Sequence, residues 1–157
     1  MMTQSDPATS ANPELLITRT FDAPRDLLFK LWTDPEHLKH WGSPKDLTVP
    51  HHEADIRPGG AYRLCMRGPD GTEYRLRGVY REIVAPERLV FTHAWDEDDG
   101  SPGHETLVTI TFEDAGDKTK LTLHQTGFAS VESRDGHRGG WNSQLDNLAD
   151  YAANLRR

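Results

Sequence analysis

The sequence predicts an α+β fold: an antiparallel meander of about six to seven strands with one face covered by a long C-terminal helix. Three observations carry this. From about residue 47 to residue 126, apolar and polar residues alternate with period two between Gly, Pro and Asp turn signals. Ahead of that run stand one strand and two short helical stretches, and behind it a single long stretch with apolar residues every three and four positions. The turns are short, which joins neighbouring strands antiparallel and leaves one face wet and one to be covered.

In chain order, "MMTQSDPATSAN" (1–12) is polar and aperiodic and reads as a disordered tail, leaving 13–157 as a single domain. "ELLITRTF" (14–21) reads as the first strand. "DAPRDLLFKLW" (22–32) offers Asp22 as N-cap and Pro24 near the first turn, with Leu27, Leu28, Leu31 and Trp32 as one stripe. "DPEHLKHW" (34–41) repeats the device with Asp34 capping and Pro35 following.

The densest punctuation lies in "ADIRPGGAYRLCMRGPDGTEYRL" (54–76). A phosphate-cradling loop needs its glycines to open a helix, whereas both glycine sites here are followed by residues of strand period. Pro69, Asp70 and Gly71 instead make a hairpin turn ending in a glycine bulge, with Gly68 facing Thr72. The register follows. Met66 lies opposite Tyr74, Leu64 opposite Leu76 and Tyr62 opposite Gly78, while Arg67 meets Glu73, Cys65 meets Arg75 and Arg63 meets Arg77. A slip by one residue would destroy this sorting of apolar from charged side chains. Gly78 leaves room on the buried face for a ring, a helix or a ligand. Gly59-Gly60 is the tight turn that begins the hairpin.

"RLVFTHAW" (88–95), "TLVTITFE" (106–113) and "TKLTLHQT" (119–126) alternate in the same way. From His137 onward Trp141, Leu145, Leu148, Ala152 and Leu155 form one face of the closing helix.

The totals remove whole classes of function. Lys plus Arg is 18 against 25 Asp plus Glu, a net charge of −7, which argues against a nucleic-acid partner. No apolar run is long enough for membrane insertion, and the lone Cys65 fits a cytoplasmic protein without an intrachain disulfide.

The segments "FDAPRDLLFKLWTDPEHLKHWGSP", "DIRPGG", "PDG", "GVYREIVAPERLVFTHAW", "TLVTITFE", "LTLHQTGF" and "GGWNSQLDNLADYAANL" together resemble the SRPBCC (START-like, helix-grip) superfamily, most closely its activator-of-heat-shock-chaperone-ATPase-like branch. The resemblance runs from about Glu14 to Leu155. It implies a curved sheet gripping the C-terminal helix, with a mostly apolar cavity between them. Members of the superfamily carry lipids, hormones, polyketides or antibiotics, and some cyclise aromatic substrates.

The cavity residues are expected to be Trp41, Tyr62, Leu64, Met66, Tyr74, Leu76, Phe91, His93, Trp95, Ile110, Gln125, Trp141, Leu145 and Leu148. Each alone reads as packed core. The polar members of the set, Tyr62, Tyr74, His93, Gln125 and the indoles, require partners if buried and tilt the reading toward a small-molecule site. His93 is the titratable group of most interest, although a single histidine on an apolar strand is more often a satisfied core residue. The leading expectation is a binder of an apolar or aromatic small molecule, with no catalytic residues, cofactor or metal. The alternatives are a chaperone-ATPase regulator working through its outer surface, and a cyclase or hydrolase using His93 with Tyr62 or Tyr74.

Adjacent His51 and His52 point to opposite sides of a strand, and the His37/His40 pair is too few ligands for a metal. "DEDDGSPGHE" (96–105) fails the calcium-loop spacing and reads as a solvated hairpin loop. Arg63, Arg67, Arg75, Arg77 and Arg81 share strand parity, and this outer face offers itself to a protein partner or to self-association.

Overall fold

The computed structural model describes residues 13–43 and 46–155; the tail expected at 1–12 lies outside the described residues. Seven strands form one antiparallel sheet: β1 (Leu15–Phe21), β2 (Thr48–Ala54), β3 (Ala61–Arg67), β4 (Glu73–Val84), β5 (Arg88–Asp96), β6 (Pro102–Ala115) and β7 (Lys118–Thr126). The spatial order is β1-β7-β6-β5-β4-β3-β2. Consecutive strands pair as a meander from β2 to β7, and β1 closes on the far side of β7. Helices α1 (Arg25–Thr33) and α2 (Pro35–Trp41) follow β1, and α3 (Val131–Leu155) ends the chain. This is the α+β helix-grip arrangement.

The β3–β4 hairpin has the register expected from its turn, including Tyr62↔Gly78, Leu64↔Leu76 and Met66↔Tyr74. Gly71 takes the left-handed conformation at φ 87°, and the Gly68 N–H donates to the Thr72 carbonyl at 2.9 Å. Gly78 has a specific occupant for the room it leaves. A Cβ there would stand 2.0 Å from the Thr92 carbonyl oxygen and 2.3 Å from the Tyr62 ring. The ring therefore lies across β4, and its hydroxyl donates to that same carbonyl at 2.7 Å.

The helix ends depart from expectation in two places. Asp34 does cap α2, its carboxylate accepting from Glu36 N at 3.0 Å. In α1, however, the N-cap position is Pro24 rather than Asp22, and Pro24 has no side chain to cap with. The closing helix begins at Val131 rather than His137. Its first turns carry Glu132, Ser133, Arg134, Asp135 and Gly136, which leave no apolar stripe to read, and Ser130 Oγ accepts from Ser133 N at 3.0 Å as a local cap.

The core fills the space between the sheet's inner face and the helices. Leu15, Ile17 and Phe21 of β1, Val108, Ile110 and Phe112 of β6, and Leu121 and Leu123 of β7 meet Leu28 and Leu31 of α1 and Leu145 and Leu148 of α3. Arg19 also points inward, and its guanidinium reaches Asp146 at 2.7 Å and the Asn142 carbonyl at 3.1 Å, tying α3 to the edge strand. His37 bonds the Tyr151 hydroxyl at 2.7 Å while His40 stacks on the same ring, which fixes α2 against α3.

On the outer face the arginine stripe is interrupted. Arg67 and Arg75 share Glu73, and Arg77 pairs with Asp96 at 2.6 Å. The register shifts between Tyr80 and Glu82, so the strand parity that links Arg81 to the others breaks at that residue.

Candidate functional site

A cavity of about 380 Å³ opens between the sheet and the first half of α3. Its sheet wall is Tyr62, Leu64 and Met66 of β3, Leu76 of β4, and Leu89, Phe91, His93 and Trp95 of β5. Alternation along each strand turns these side chains inward together. Trp32 of α1 and Trp41 of α2 close one end, Val49 and His52 of β2 another, and Gly136, His137, Gly140, Trp141 and Gln144 of α3 form the roof. Glycines at 136 and 140 keep that part of the roof free of side chains.

Of the residues expected from sequence, Trp41, Tyr62, Leu64, Met66, Leu76, Phe91, His93, Trp95 and Trp141 line this space. Ile110, Leu145 and Leu148 are fully buried in the core instead, and Gln125 lies fully buried beneath Trp141. Tyr74 is 44% exposed and does not line the cavity. It has the inward parity, but it sits at the turn end of the hairpin beside Gly68, with no helix over it.

Strand parity could not have supplied Trp32, Val49, His52, Gly136, His137, Gly140 or Gln144, which belong to other elements. The nearest signals were a tryptophan in the α1 stripe and the glycines of "HRGGW".

Most polar groups around the cavity are committed within the protein, whereas the His52 ring and the Gln144 amide line it partly exposed and without a bond from another described residue. Trp141 Nε1 donates to Gln125 Oε1 at 2.8 Å, Gln125 Nε2 donates to Thr106 Oγ1 at 2.8 Å, and Thr106 Oγ1 donates to the His93 carbonyl at 3.1 Å. Trp41 Nε1 donates to the Leu31 carbonyl at 3.0 Å. His137 Nδ1 lies 2.7 Å from the Ser133 carbonyl, which fixes the proton on that nitrogen and leaves Nε2 to accept from Trp95 Nε1 at 3.0 Å. The Tyr62 hydroxyl is spent on the Thr92 carbonyl, and burial raises this phenol well above its ordinary range.

Two buried groups stand apart. Trp32 Nε1 is sealed in without a hydrogen-bond partner. The His93 ring is 6% exposed and lines the cavity; it bonds its own backbone, and no hydrogen bond from another described residue reaches it. Its neighbours are Trp95, His137 and Trp141, with ring centroids at 5.5, 5.3 and 6.1 Å. Burial, with a smaller contribution from His137, lowers its pKa to about 3, so the imidazole is neutral across the physiological range. His93 is thus satisfied only in part, by its own backbone, and has no partner on another described residue. His52 is also shifted down, first by burial and then by His51. With Tyr62 committed and Tyr74 outside, neither tyrosine is placed as a proton partner for His93.

Behind the His93 wall lies a second, smaller cavity of about 160 Å³ facing the 96–104 loop. His93, Trp95, Ser133 and His137 line both spaces, so the partition is one layer of side chains thick. Among the described residues no three His, Cys, Asp or Glu side chains converge as a metal site, and no helix is long and apolar enough to cross a membrane.

Known proteins share this fold. The crystal structure of an AHSA1 protein from Silicibacter pomeroyi superposes with a TM-score of 0.84 at 28% identity, covering 92% of this chain and all of that one. A protein from Chromobacterium violaceum gives 0.81 at 25% identity, covering 88% and 96% of the two chains, and one from Rhizobium loti gives 0.77 at 27%, covering 89% and 96%. An uncharacterised Schizosaccharomyces pombe protein is 28% identical over 109 residues, 69% of this chain but 28% of its own length. The chain therefore spans little more than a quarter of that curated relative. The family described as Activator of Hsp90 ATPase homolog 1-like protein matches residues 22–153, and the chain belongs to it.

Proposed function

We propose that the protein binds an apolar or aromatic small molecule in the cavity beneath α3, without covalent catalysis. The observation that carries this reading is a space of about 380 Å³ walled by tryptophan, tyrosine, phenylalanine and aliphatic side chains. Small-molecule pockets of roughly 300–1,000 Å³ have this apolar character with a few convergent polar groups. The ligand stacks on Trp95 and Trp141 and reaches the cavity between the end of α2 and the first half of α3.

A thermal-shift screen against apolar, aromatic and fatty-acid compounds tests it. At about a hundred times its dissociation constant a ligand adds about 2.7 kcal/mol of stability. For a domain of this size that raises Tm by roughly 5–11 °C. Leu64→Trp, which fills the cavity from a half-buried position, abolishes the shift. A broad panel with no effect on Tm refutes the reading.

The family description favours a second reading, regulation of a chaperone ATPase through the outer face, where Arg63, Arg75 and Arg77 stand. Chaperone ATPase rates measured with and without the protein decide it; unchanged rates remove it. The lone Cys65 suits a cytoplasmic setting for either role.

A further inference from the structure

We infer that the cavity selects an uncharged ligand carrying one hydroxyl or carbonyl group, which hydrogen-bonds the His93 imidazole, and that it rejects carboxylates. The inference rests on the small-molecule reading above and adds the chemical class of the ligand.

The argument is a census of hydrogen-bonding capacity. The donors of Trp41, Trp95, Trp141 and Tyr62 are each bonded within the protein. His137 uses one ring nitrogen on Ser133 and the other on Trp95. His93 is buried, lines the cavity and is bonded only to its own backbone; His52 and Gln144 also line the cavity without a bond from another described residue, but both are partly exposed. As a neutral ring it has one donor, shared with its own backbone carbonyl, and one free acceptor. A hydroxyl satisfies the acceptor, and a carbonyl shares the donor. A site holding an unspent polar group discriminates against analogues that lack its complement, because the buried group is then left unpaired.

Charge decides the other half. Among the described residues no arginine lines the cavity, and the one lysine that does, Lys39, is exposed and already paired with Glu36 at 2.8 Å. Glu132 adds a negative charge to the same lining. The His93 ring is held neutral by burial and cannot supply the missing cation. A carboxylate lodged beside His93 would be a buried charge without a counter-charge, the costliest arrangement an apolar site offers.

The experiment uses three probes of one shape, naphthalene, 2-naphthol and 2-naphthoate, with dissociation constants from equilibrium dialysis at neutral pH. The wild type binds 2-naphthol about fivefold more tightly than naphthalene, the contribution of one net hydrogen bond. It binds 2-naphthoate on the order of a hundredfold more weakly than 2-naphthol. His93→Leu retains naphthalene and loses the naphthol preference. His93→Gln, which restores a donor and an acceptor, keeps the preference and guards against a folding defect in the leucine variant. Equal binding of naphthol and naphthalene overturns the inference, as does naphthoate binding that matches naphthol, or a preference that survives in His93→Leu. In each of those outcomes naphthalene still binds and the small-molecule reading stands. If no probe binds, that reading falls and takes this inference with it.

Discussion

Gly78→Ala is a demanding test of the architecture, because its cost can be worked from three contacts. The new Cβ would sit 2.0 Å from the Thr92 carbonyl oxygen and 2.3 and 2.5 Å from two atoms of the Tyr62 ring. One neighbour is backbone in the adjacent strand and the other is a fully packed ring, so relief requires more than an ångström of movement at one of them. Overpacking of this kind costs about 1–3 kcal/mol. Displacing the ring also breaks the bond from its hydroxyl to Thr92, worth about 1 kcal/mol net. The sum is roughly 2–4 kcal/mol, and at about 2–4 °C per kcal/mol Tm falls by roughly 4–16 °C. Urea unfolding of Gly78→Ala, Tyr62→Phe and the double variant gives the second check. The hydrogen bond can be lost only once, so the double variant is less destabilised than the sum of the singles by about 1 kcal/mol. A loss below about 0.5 kcal/mol for Gly78→Ala, within the range of an ordinary surface substitution, refutes the placement of the ring. Strict additivity refutes the link between the two residues.

Two further outcomes follow from particular side chains. In the glycine-rich first half of α3, a Cβ at Gly136 or Gly139 meets nothing within 4 Å, so Gly136→Ala and Gly139→Ala each stabilise by about 0.5–1 kcal/mol in urea unfolding; a loss of stability in either contradicts the open surroundings described there. His93 supplies a pH signature. Its folded pKa, about 3, lies below the unfolded value near 6.5. Between these values the unfolded chain binds a proton that the folded chain does not, so stability is complete above about pH 6.5 and falls toward pH 3. The slope is about 1.4 kcal/mol per pH unit for this one proton. The urea-derived stability of His93→Gln lacks that slope between pH 6 and pH 5, after the shared contributions of other groups are subtracted; parallel profiles for the two proteins refute a buried neutral imidazole.

How far the sequence reached depended on how local each determinant was. The β3–β4 register could be written out because one turn, Pro69-Asp70-Gly71, and one alternation fix every pair between Ala61 and Val79. Asp34 was readable as a cap because its partner, Glu36 N, is two residues away. The start of α3 was not readable: its opening turns are polar and glycine-rich, and what marks them is the Ser130 cap rather than an apolar period. The inward residues of β3 and β5 could be named as cavity wall from parity alone, but parity cannot say how far α3 extends. For that reason Tyr74 and Ile110 looked equivalent to Tyr62, and only the tertiary arrangement leaves one in solvent and the other in the core. His52 shows the opposite limit. Its orientation away from His51 was readable, whereas its proximity to the cavity depends on where the edge strand lands.

The partition formed by His93, Trp95, Ser133 and His137 also bears on how such proteins diverge. The wall carries local bonds, Ser133 taking the Ser130 cap and His137 accepting from Trp95, but none of them sets the register of the sheet. Replacing the imidazole at position 137 with a small side chain would join the chambers in a single mutational step and admit a longer guest. On the small-molecule reading, the range of guests would be a property that descent can change one codon at a time, while the sheet that holds the cavity is inherited intact.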